Sequence, residues 1–135
     1  MEAIDRPQHH RLRLSGGRLL GTYDGNPVLL LHHVGRKSGD ERVTPLIYLE
    51  DGEDLAIVGS MGGTPKHPAW VHNLGAAPDT EVELRGGRRA VHARVADAEE
   101  RGRLWPRLVE HYPAFATYQS RTEREIPVVI LSPRR

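Results

Sequence analysis

The sequence predicts an α+β domain, namely a small barrel of six antiparallel strands with short flanking helices. Six stretches are either continuously apolar or alternate between apolar and polar residues, which is typical of strands. Several of these stretches are joined by only a few turn residues, and short links favour antiparallel neighbours. Two stretches with helical features interrupt the strands, one in the middle of the chain and one near its end, which favours the α+β class.

The N-terminal region, residues 1–26, lacks a clear strand pattern. It is polar at first, and residues 11–20 then alternate basic and apolar residues around Gly16-Gly17. We expect an N-terminal arm or a short helix here, followed by one domain over residues 27–135.

The first three strands are predicted over residues 27–34, 42–50 and 55–59. The first is a short apolar run between turn residues, as expected for a buried strand. The second alternates, and Asp51-Gly52 is expected to close a hairpin onto the third strand. The three strands should therefore follow one another as an antiparallel meander.

A short helix and a second hairpin are predicted in the middle of the chain. Pro68 suits the first turn of a helix that Gly75 can end. Residues 80–85 and 89–95 then alternate as two strands around a turn at Gly86-Gly87.

The last part of the chain combines a helical region with a final strand. Asp97 followed by Glu100 resembles a capping box, which marks the start of a helix. Pro106 is expected to kink or restart this helix. A second helical segment is predicted over residues 112–119, and a strongly apolar strand over residues 126–131.

Composition narrows the class of protein. The chain has 135 residues, enough for one domain, and its 38% hydrophobic and 27% charged residues exclude a disordered or fibrous protein. A formal net charge of +1 argues against a dedicated nucleic-acid binder. Without cysteine there is no disulfide or thiolate metal site. No apolar stretch approaches the ~20 residues that span a bilayer, so we expect a soluble, cytoplasmic protein.

The segment GRKSG is the most suggestive one chemically. Arg36 and Lys37 offer two positive charges, Ser38 offers a hydroxyl group, and the glycines expose backbone N–H groups. Such a set suits a phosphate group, and the alternative is a solvated hairpin turn. A Walker loop is excluded, because the residues that follow alternate as a strand instead of opening a helix.

Two further segments are candidates for a binding site. GSMGG allows a ligand to approach the backbone closely, and Ser60 can donate a hydrogen bond; the alternative is a mobile connection between strand and helix. KHPAWVHN carries Lys66 at a helix start, where an anion is favoured. Trp70 is expected in the core, whereas His72 and Asn73 either point into a cleft or cap local backbone groups.

The eight histidines do not predict a metal site. His67 and His72 are five residues apart and so do not share a helical face. The adjacent His32 and His33 lie on a strand and point to opposite faces. The serines lack the context of a nucleophile elbow, so we expect neither a catalytic metal nor a serine nucleophile.

Three aromatic residues form a second candidate feature. Tyr112, Phe115 and Tyr118 are spaced three residues apart, which places them along one flank of a helical segment. They are either ordinary packing against the barrel or an aromatic wall whose phenols bind or protonate a planar ligand.

The motifs together resemble the deazaflavin-dependent nitroreductase family, the actinobacterial split-barrel reductases that use coenzyme F-420. The resemblance rests on GRKSG followed directly by RVTPLIYLEDG, then GSMGG, KHPAWVHNL and RLWPRLVEHYPAFATYQSRTEREIPVVIL, in this order. It implies a six-stranded split β-barrel, similar in architecture to flavin-mononucleotide-binding proteins, over residues 27–135. It also implies an oxidoreductase that transfers a hydride from the reduced deazaflavin to an electron-poor acceptor such as a quinone, an unsaturated lactone or a nitro compound.

The resemblance also implies roles for individual residues. The acceptor would be bordered by Ile47, Tyr112, Phe115 and Tyr118, and the catalytic candidates are Tyr112, Tyr118 and Ser60. The candidates for holding the coenzyme are Arg36, Lys37, Ser38, Arg42, Val43, Thr44, Pro45, Leu46, Ile47, Val58, Gly59, Ser60, Met61, Lys66, Ala69, Trp70, Val71, His72 and Asn73. The cations among them suit the phosphate and the acidic tail of the coenzyme.

Two other readings remain open from the sequence. The first is a flavin- or haem-binding member of the wider split-barrel group. The second is a non-catalytic barrel that binds anions or nucleic acid through its arginine-rich turns, against which the near-neutral charge counts. The expected partner is a small-molecule acceptor and not a nucleic acid. The sequence leaves open the oligomeric state and a peripheral membrane contact through the N-terminal arm.

Overall fold

The computed structural model describes residues 22–23 and 25–134, so most of the predicted N-terminal arm lies outside the described residues. The helices are α1 (Ala69–Ala76), α2 (Ala98–His111) and α3 (Ala114–Ser120). The strands are β1 (Thr22–Tyr23), β2 (Asn26–Val34), β3 (Glu41–Ile47), β4 (Leu49–Asp51), β5 (Asp54–Val58), β6 (Asp79–Leu84), β7 (Gly87–Val95) and β8 (Val128–Pro133).

The strands form one curled antiparallel sheet. Its order runs β1-β2-β6-β7-β8-β5-β4, and β3 pairs with the other edge of β2. Since β3 and β4 are separated only by Tyr48, they are two halves of one bent strand that pairs with β2 and then with β5. The sheet therefore closes on itself. The described residues form eight strands where six were predicted, because the strand predicted over residues 42–50 is divided into β3 and β4 at Tyr48 and β1 was not predicted. The predicted class, an antiparallel split barrel with short helices, is confirmed.

Alternation along the strands divides the apolar residues between two cores. In β5, Leu55 and Ile57 face the barrel interior, where Trp70 of α1 also packs. The intervening Ala56 and Val58 face the other way, toward α2 and α3. Leu104 anchors α2 against this outer face and is fully buried. Truncating such a side chain to alanine typically costs about 2–5 kcal/mol.

The helix starts agree with the sequence better than the helix interiors do. The capping box at Asp97 and Glu100 is present in both directions. Helix α1 does not end at Gly75 but continues to Ala76. Helix α2 runs through Pro106 without a break. Its lost hydrogen bond would have gone to the carbonyl of Gly102, and both residues are exposed, so water can take the place of the missing donor.

The final strand starts later than the alternation suggested. It begins at Val128 because the backbone of Ile126 is already engaged by side chains. Its N–H donates to Gln119 Oε1 at 2.9 Å, and its carbonyl accepts from Arg101. Pro127 has no N–H to offer to a ladder. The same contacts tie α2 and α3 to the start of β8, which fixes the position of α3 over the barrel.

The described part of the chain contains neither a metal-binding cluster nor a membrane-spanning helix. Across residues 22–23 and 25–134, no group of three or more potential ligand side chains is arranged to hold a metal ion. Within the same residues, no helix is long and apolar enough to cross a membrane.

Candidate active site

An open cleft lies between one side of the barrel and α3. Its volume is about 510 Å³, counting the space open to solvent. The lining residues come from β1, β3, β5, the loop after β5, α1 and the α2–α3 region. They are Tyr23, Thr44, Leu46, Ile47, Val58, Ser60, Met61, Gly62, Pro68, Trp70, Tyr112, Phe115 and Tyr118.

One side of the cleft is an aromatic wall formed by Tyr112, Phe115 and Tyr118. The ring centroids of Tyr112 and Phe115 are 5.0 Å apart, and Tyr118 lies 6.4–6.5 Å from both. Tyr112 and Phe115 are buried, while Tyr118 is half-buried. The three rings therefore do meet, although Tyr112 and Pro113 separate α2 from α3 instead of continuing one helix.

A second side of the cleft is a tight turn at residues 60–62, here called the cleft turn. Ser60 has right-handed backbone angles, whereas Met61 has a φ of 46° and Gly62 a φ of 68°. A left-handed methionine is strained, since its Cβ approaches the following carbonyl. Gly63 follows at φ 82°, and a Cβ there would overlap the backbone of Tyr118. Only glycine lets α3 pack this closely on the loop.

The segment GRKSG forms a compact turn at residues 35–40, here called the basic turn. The N–H of Gly35 donates to Asp40 O at 2.9 Å, and the N–H of Asp40 donates to Ser38 Oγ at 3.2 Å. Ser38 thus folds the turn. Arg42 lies back over it, since a Cβ on Gly35 would be 3.4 Å from Arg42 Nε.

The cations around the basic turn lack carboxylate partners. Within the described residues, no ion pair forms at Arg36, Lys37 or Arg42, in contrast to arginines elsewhere on the barrel, such as Arg88, which pairs with Glu81. Lys66, in the loop after β5, likewise has no carboxylate partner among the described residues. Unpaired cations gathered in one place favour an anionic ligand.

A buried hydrogen-bonded chain joins the basic turn to the cleft. Asn73 Oδ1 accepts the backbone N–H of Arg36 at 3.0 Å, and Asn73 Nδ2 donates to His33 Nδ1 at 2.9 Å. His33 Nδ1 is therefore an acceptor, so the ring proton is on Nε2, which donates to Thr44 Oγ1 at 2.8 Å. The Thr44 hydroxyl keeps its own proton to donate, and Thr44 lines the cleft.

The predicted site residues fall into two groups. Ten of them line the cleft, from Thr44 on β3 to Tyr118 on α3. The others surround it or stand apart: Arg36, Lys37, Ser38 and Arg42 form the basic turn, Asn73 links the turn to the cleft, and Val71 packs on the barrel core. The rest lie outside the cleft lining: Val43, Pro45, Gly59, Lys66, Ala69 and His72. Gly62 and Pro68 also line the cleft; they lie in the candidate segments GSMGG and KHPAWVHN but were not among the predicted site residues. Neither Tyr23 as a lining residue nor His33 as a link was predicted from the sequence.

His67 lies just outside the cleft and is held neutral. Burial lowers the pKa of His67, and the positive charge of Arg124 lowers it further. Its Nδ1 accepts an N–H of Arg124 at 2.8 Å, which leaves the ring proton on Nε2. The His72 ring is tilted against it, with centroids 5.8 Å apart. His67 therefore adds no positive charge beside the cleft.

A closed antiparallel barrel with an aromatic cleft beside an unpaired basic turn is the architecture of a split-barrel domain with a site for a flat, anionic ligand. Residues 4–133 match the family described as F420H(2)-dependent quinone reductase. The chain belongs to this family of oxidoreductases, and its cofactor is coenzyme F-420.

Individual relatives agree with this assignment. An F420H(2)-dependent quinone reductase of Mycobacterium tuberculosis is 42% identical over 111 residues, which cover 80% of this chain and 74% of that protein. The solved structure of F420-H2 Dependent Reductase (FDR-A) is 38% identical with a TM-score of 0.72, covering 83% of this chain and 100% of that chain.

A third structure shares only the fold. HutZ, the heme storage protein of Vibrio cholerae, is 12% identical with a TM-score of 0.62, covering 82% of this chain and 84% of that chain. At this identity the likeness shows the split barrel and carries no argument for haem binding.

Proposed function

We propose that this chain binds the ring system of coenzyme F-420 in the cleft and its phosphate and acidic tail on the basic turn, and that it reduces a quinone. The observation that carries the proposal is an apolar, aromatic cleft joined through Thr44, His33 and Asn73 to the basic turn and its unpaired cations. A flat ring gains from burial against aromatic and aliphatic side chains, and the tail gains from charge-assisted hydrogen bonds. The buried hydrogen-bonded chain through His33 fixes the position of the basic turn relative to the cleft.

The protein's task in this reaction is to hold and orient. The bound reduced coenzyme supplies the hydride. Leu46, Ile47 and Val58 provide an apolar floor that excludes water from the ring. The Thr44 hydroxyl, oriented by His33, donates a hydrogen bond into the cleft.

The acceptor also needs a proton, because a quinone that takes up one hydride becomes a hydroquinone only with one proton. Tyr118 is our candidate donor, since it is half-buried, lines the cleft and has Arg121 5.7 Å from its ring centroid. A quinone is the acceptor we favour because it is planar and matches the aromatic wall. Unsaturated lactones and nitro compounds belong in the same acceptor panel, and their relative rates decide the range.

Fluorescence titration of the purified protein with coenzyme F-420, and with flavin mononucleotide as the control ligand, tests the binding proposal. The double variant Arg36→Ala/Lys37→Ala should weaken coenzyme binding by about 10-fold or more, since a hydrogen bond to a charged group is worth ~1.5–3 kcal/mol. The control Arg85→Ala/Arg89→Ala removes two cations that do not line the cleft and should bind normally. Tight flavin binding without deazaflavin binding would overturn the proposal.

Tyr118 variants test the acceptor side of the cleft. Tyr118→Ala should lower kcat/KM for a quinone by about 10-fold or more, as the loss of a stacking contact of ~1.4 kcal/mol corresponds to that factor. Tyr118→Phe separates the roles, since a large loss identifies the hydroxyl as proton donor and a small loss identifies packing. The coenzyme affinity should stay the same in both variants. Weak coenzyme binding with normal acceptor kinetics would assign Tyr118 to the coenzyme instead.

A further inference from the structure

Arg124, in the link between α3 and β8, donates hydrogen bonds to the loop that contains the cleft turn. Its Nε donates to Thr64 O at 2.8 Å. One terminal nitrogen donates to Gly59 O at 3.2 Å and to Ser60 O at 2.8 Å, and the other donates to His67 Nδ1 at 2.8 Å. One side chain thus holds four acceptors across the whole loop after β5.

These contacts decide how the peptide groups of the cleft turn are oriented. The carbonyls of Gly59 and Ser60 point toward the guanidinium. In a trans peptide the N–H points opposite to the C=O, so the N–H groups of Ser60 and Met61 point away from Arg124. Ser60 and Met61 are cleft residues, and Met61 keeps its strained left-handed conformation only because its surroundings impose it.

The charge of Arg124 has no carboxylate partner within residues 22–23 and 25–134. All four of its contacts are to neutral acceptors, and burial lowers the pKa of its guanidinium. A partly buried cation without a counter-charge destabilises the fold unless a negatively charged group, such as one on a ligand, compensates for its lost hydration. Neutral His67, whose pKa is lowered by burial and by Arg124, does not offset the charge. A positive charge therefore stands one peptide unit behind the wall of the cleft.

We propose that Arg124 is the positioning residue of this site: its guanidinium fixes the cleft turn, and its unpaired charge favours a ligand oxygen that carries negative charge against that turn. This inference rests on the proposed function, because the ligand it concerns is the one in the cleft. Two sources share this chemistry, namely a carbonyl oxygen of the deazaflavin ring and a carbonyl oxygen of the quinone as it is reduced.

The test compares Arg124→Lys and Arg124→Gln with the matched controls Arg134→Lys and Arg134→Gln. Arg134 also bonds two backbone carbonyls, those of Val91 and Thr80, but lies outside the cleft lining. Each variant is measured for the free energy of unfolding, for coenzyme affinity by fluorescence titration, and for kcat and KM with a quinone. Arg124→Ala is also assayed with added guanidinium at about 10–50 mM, to replace the missing side-chain group. This concentration is far below that which denatures proteins.

We expect Arg124→Gln to lose about 10-fold or more in coenzyme affinity or in kcat/KM, since the loss of a hydrogen bond to a charged group corresponds to a factor of this size. Arg124→Lys should lose less, because it keeps the positive charge. Added guanidinium should partly restore the affinity or the activity of Arg124→Ala. A loss of affinity assigns the oxygen to the deazaflavin, and a loss confined to quinone kinetics assigns it to the acceptor. Equal losses for lysine and glutamine without rescue would show a purely structural arginine and overturn the inference, as would values equal to those of the Arg134 controls.

Folding and the underlying function are controlled separately. If Arg124→Gln does not fold, the lysine variant alone is compared with Arg134→Lys, and equal affinity and kinetics in these two overturn the inference. If the parent protein fails to bind the deazaflavin, the proposed function is wrong. If the parent binds it and the variants behave like their controls, only the role of Arg124 is wrong.

Discussion

Gly63→Ala, compared with Gly62→Ala, tests whether the close approach between the loop and α3 holds the cleft together. The two glycines are neighbours with left-handed φ values of 82° and 68°, so an alanine at either position meets the same backbone penalty of about 1–2 kcal/mol. They differ in what surrounds them. A Cβ on Gly62 would meet nothing within 4 Å, whereas a Cβ on Gly63 would overlap the Tyr118 carbonyl and stand 3.0 Å from Arg121 Cβ.

The added cost at Gly63 is that of overpacking, about 1–3 kcal/mol, because the nearest atoms belong to backbone and cannot rotate away. We therefore expect the free energy of unfolding to fall by about 1–2 kcal/mol in Gly62→Ala and by about 2–5 kcal/mol in Gly63→Ala. Urea denaturation with an unchanged m-value measures both losses. Since α3 must move to admit the methyl group, Gly63→Ala should also lower kcat/KM for the quinone through Tyr118. Equal losses of stability in the two variants would refute the close approach.

Two smaller predictions concern a charge and a hydroxyl group. The hydrogen bond from Arg94, and then that from the Asp97 N–H, lowers the pKa of Glu100 from 4.5 to about 2; the ionised form is therefore the stabilising one, present above pH 4.5 and lost as the pH falls toward 2. Glu100→Gln should thus be less stable than the parent at pH 7, and urea melts should show this difference narrowing between pH 4.5 and 2. Thr44→Val removes the hydroxyl that accepts the 2.8 Å hydrogen bond from His33 Nε2, so urea melts should show a loss of about 0.5–1.5 kcal/mol and titration a weaker coenzyme affinity. Thr44→Ser should retain both the stability and the affinity.

The elements that local pattern determines were predictable, and so were the parts of the site that lie on them. Strand alternation sends every second residue to one face, which places Thr44 and Leu46 of β3 together, and both line the cleft. Ile47 belongs to the opposite face and lines the cleft as well, which alternation alone does not predict. The capping box between Asp97 and Glu100 is a contact over three residues and was found from the sequence. The bend at Tyr48 was not found, because it arises where one strand changes partner from β2 to β5.

Residues that reach the site through long-range contacts had no local signal. Arg124 contacts groups 57 to 65 positions earlier in the chain, and nothing around it distinguishes it from the neighbouring arginines. Tyr23 joins the aromatic wall with its ring centroid 6.2 Å from that of Tyr112, across most of the chain. Only the assembled barrel brings these residues to the cleft.

The sequence predicts that one histidine of the pair His32 and His33 is buried and needs hydrogen-bond partners, but it does not predict which residues those partners are. Because His32 and His33 are adjacent on a strand, one had to face outward and the other inward, and the structure pairs His32 with buried Glu83 while His33 points to the inner side. That parity excluded a shared metal site, and it also implied that an inward histidine must find hydrogen-bond partners, since buried polar groups are rarely left unpaired. The adjacent pair His32 and His33 was thus enough to predict that one histidine needs buried hydrogen-bond partners. The identity of these partners was not predictable, because Asn73 lies 40 positions away and meets His33 only once α1 packs against β2.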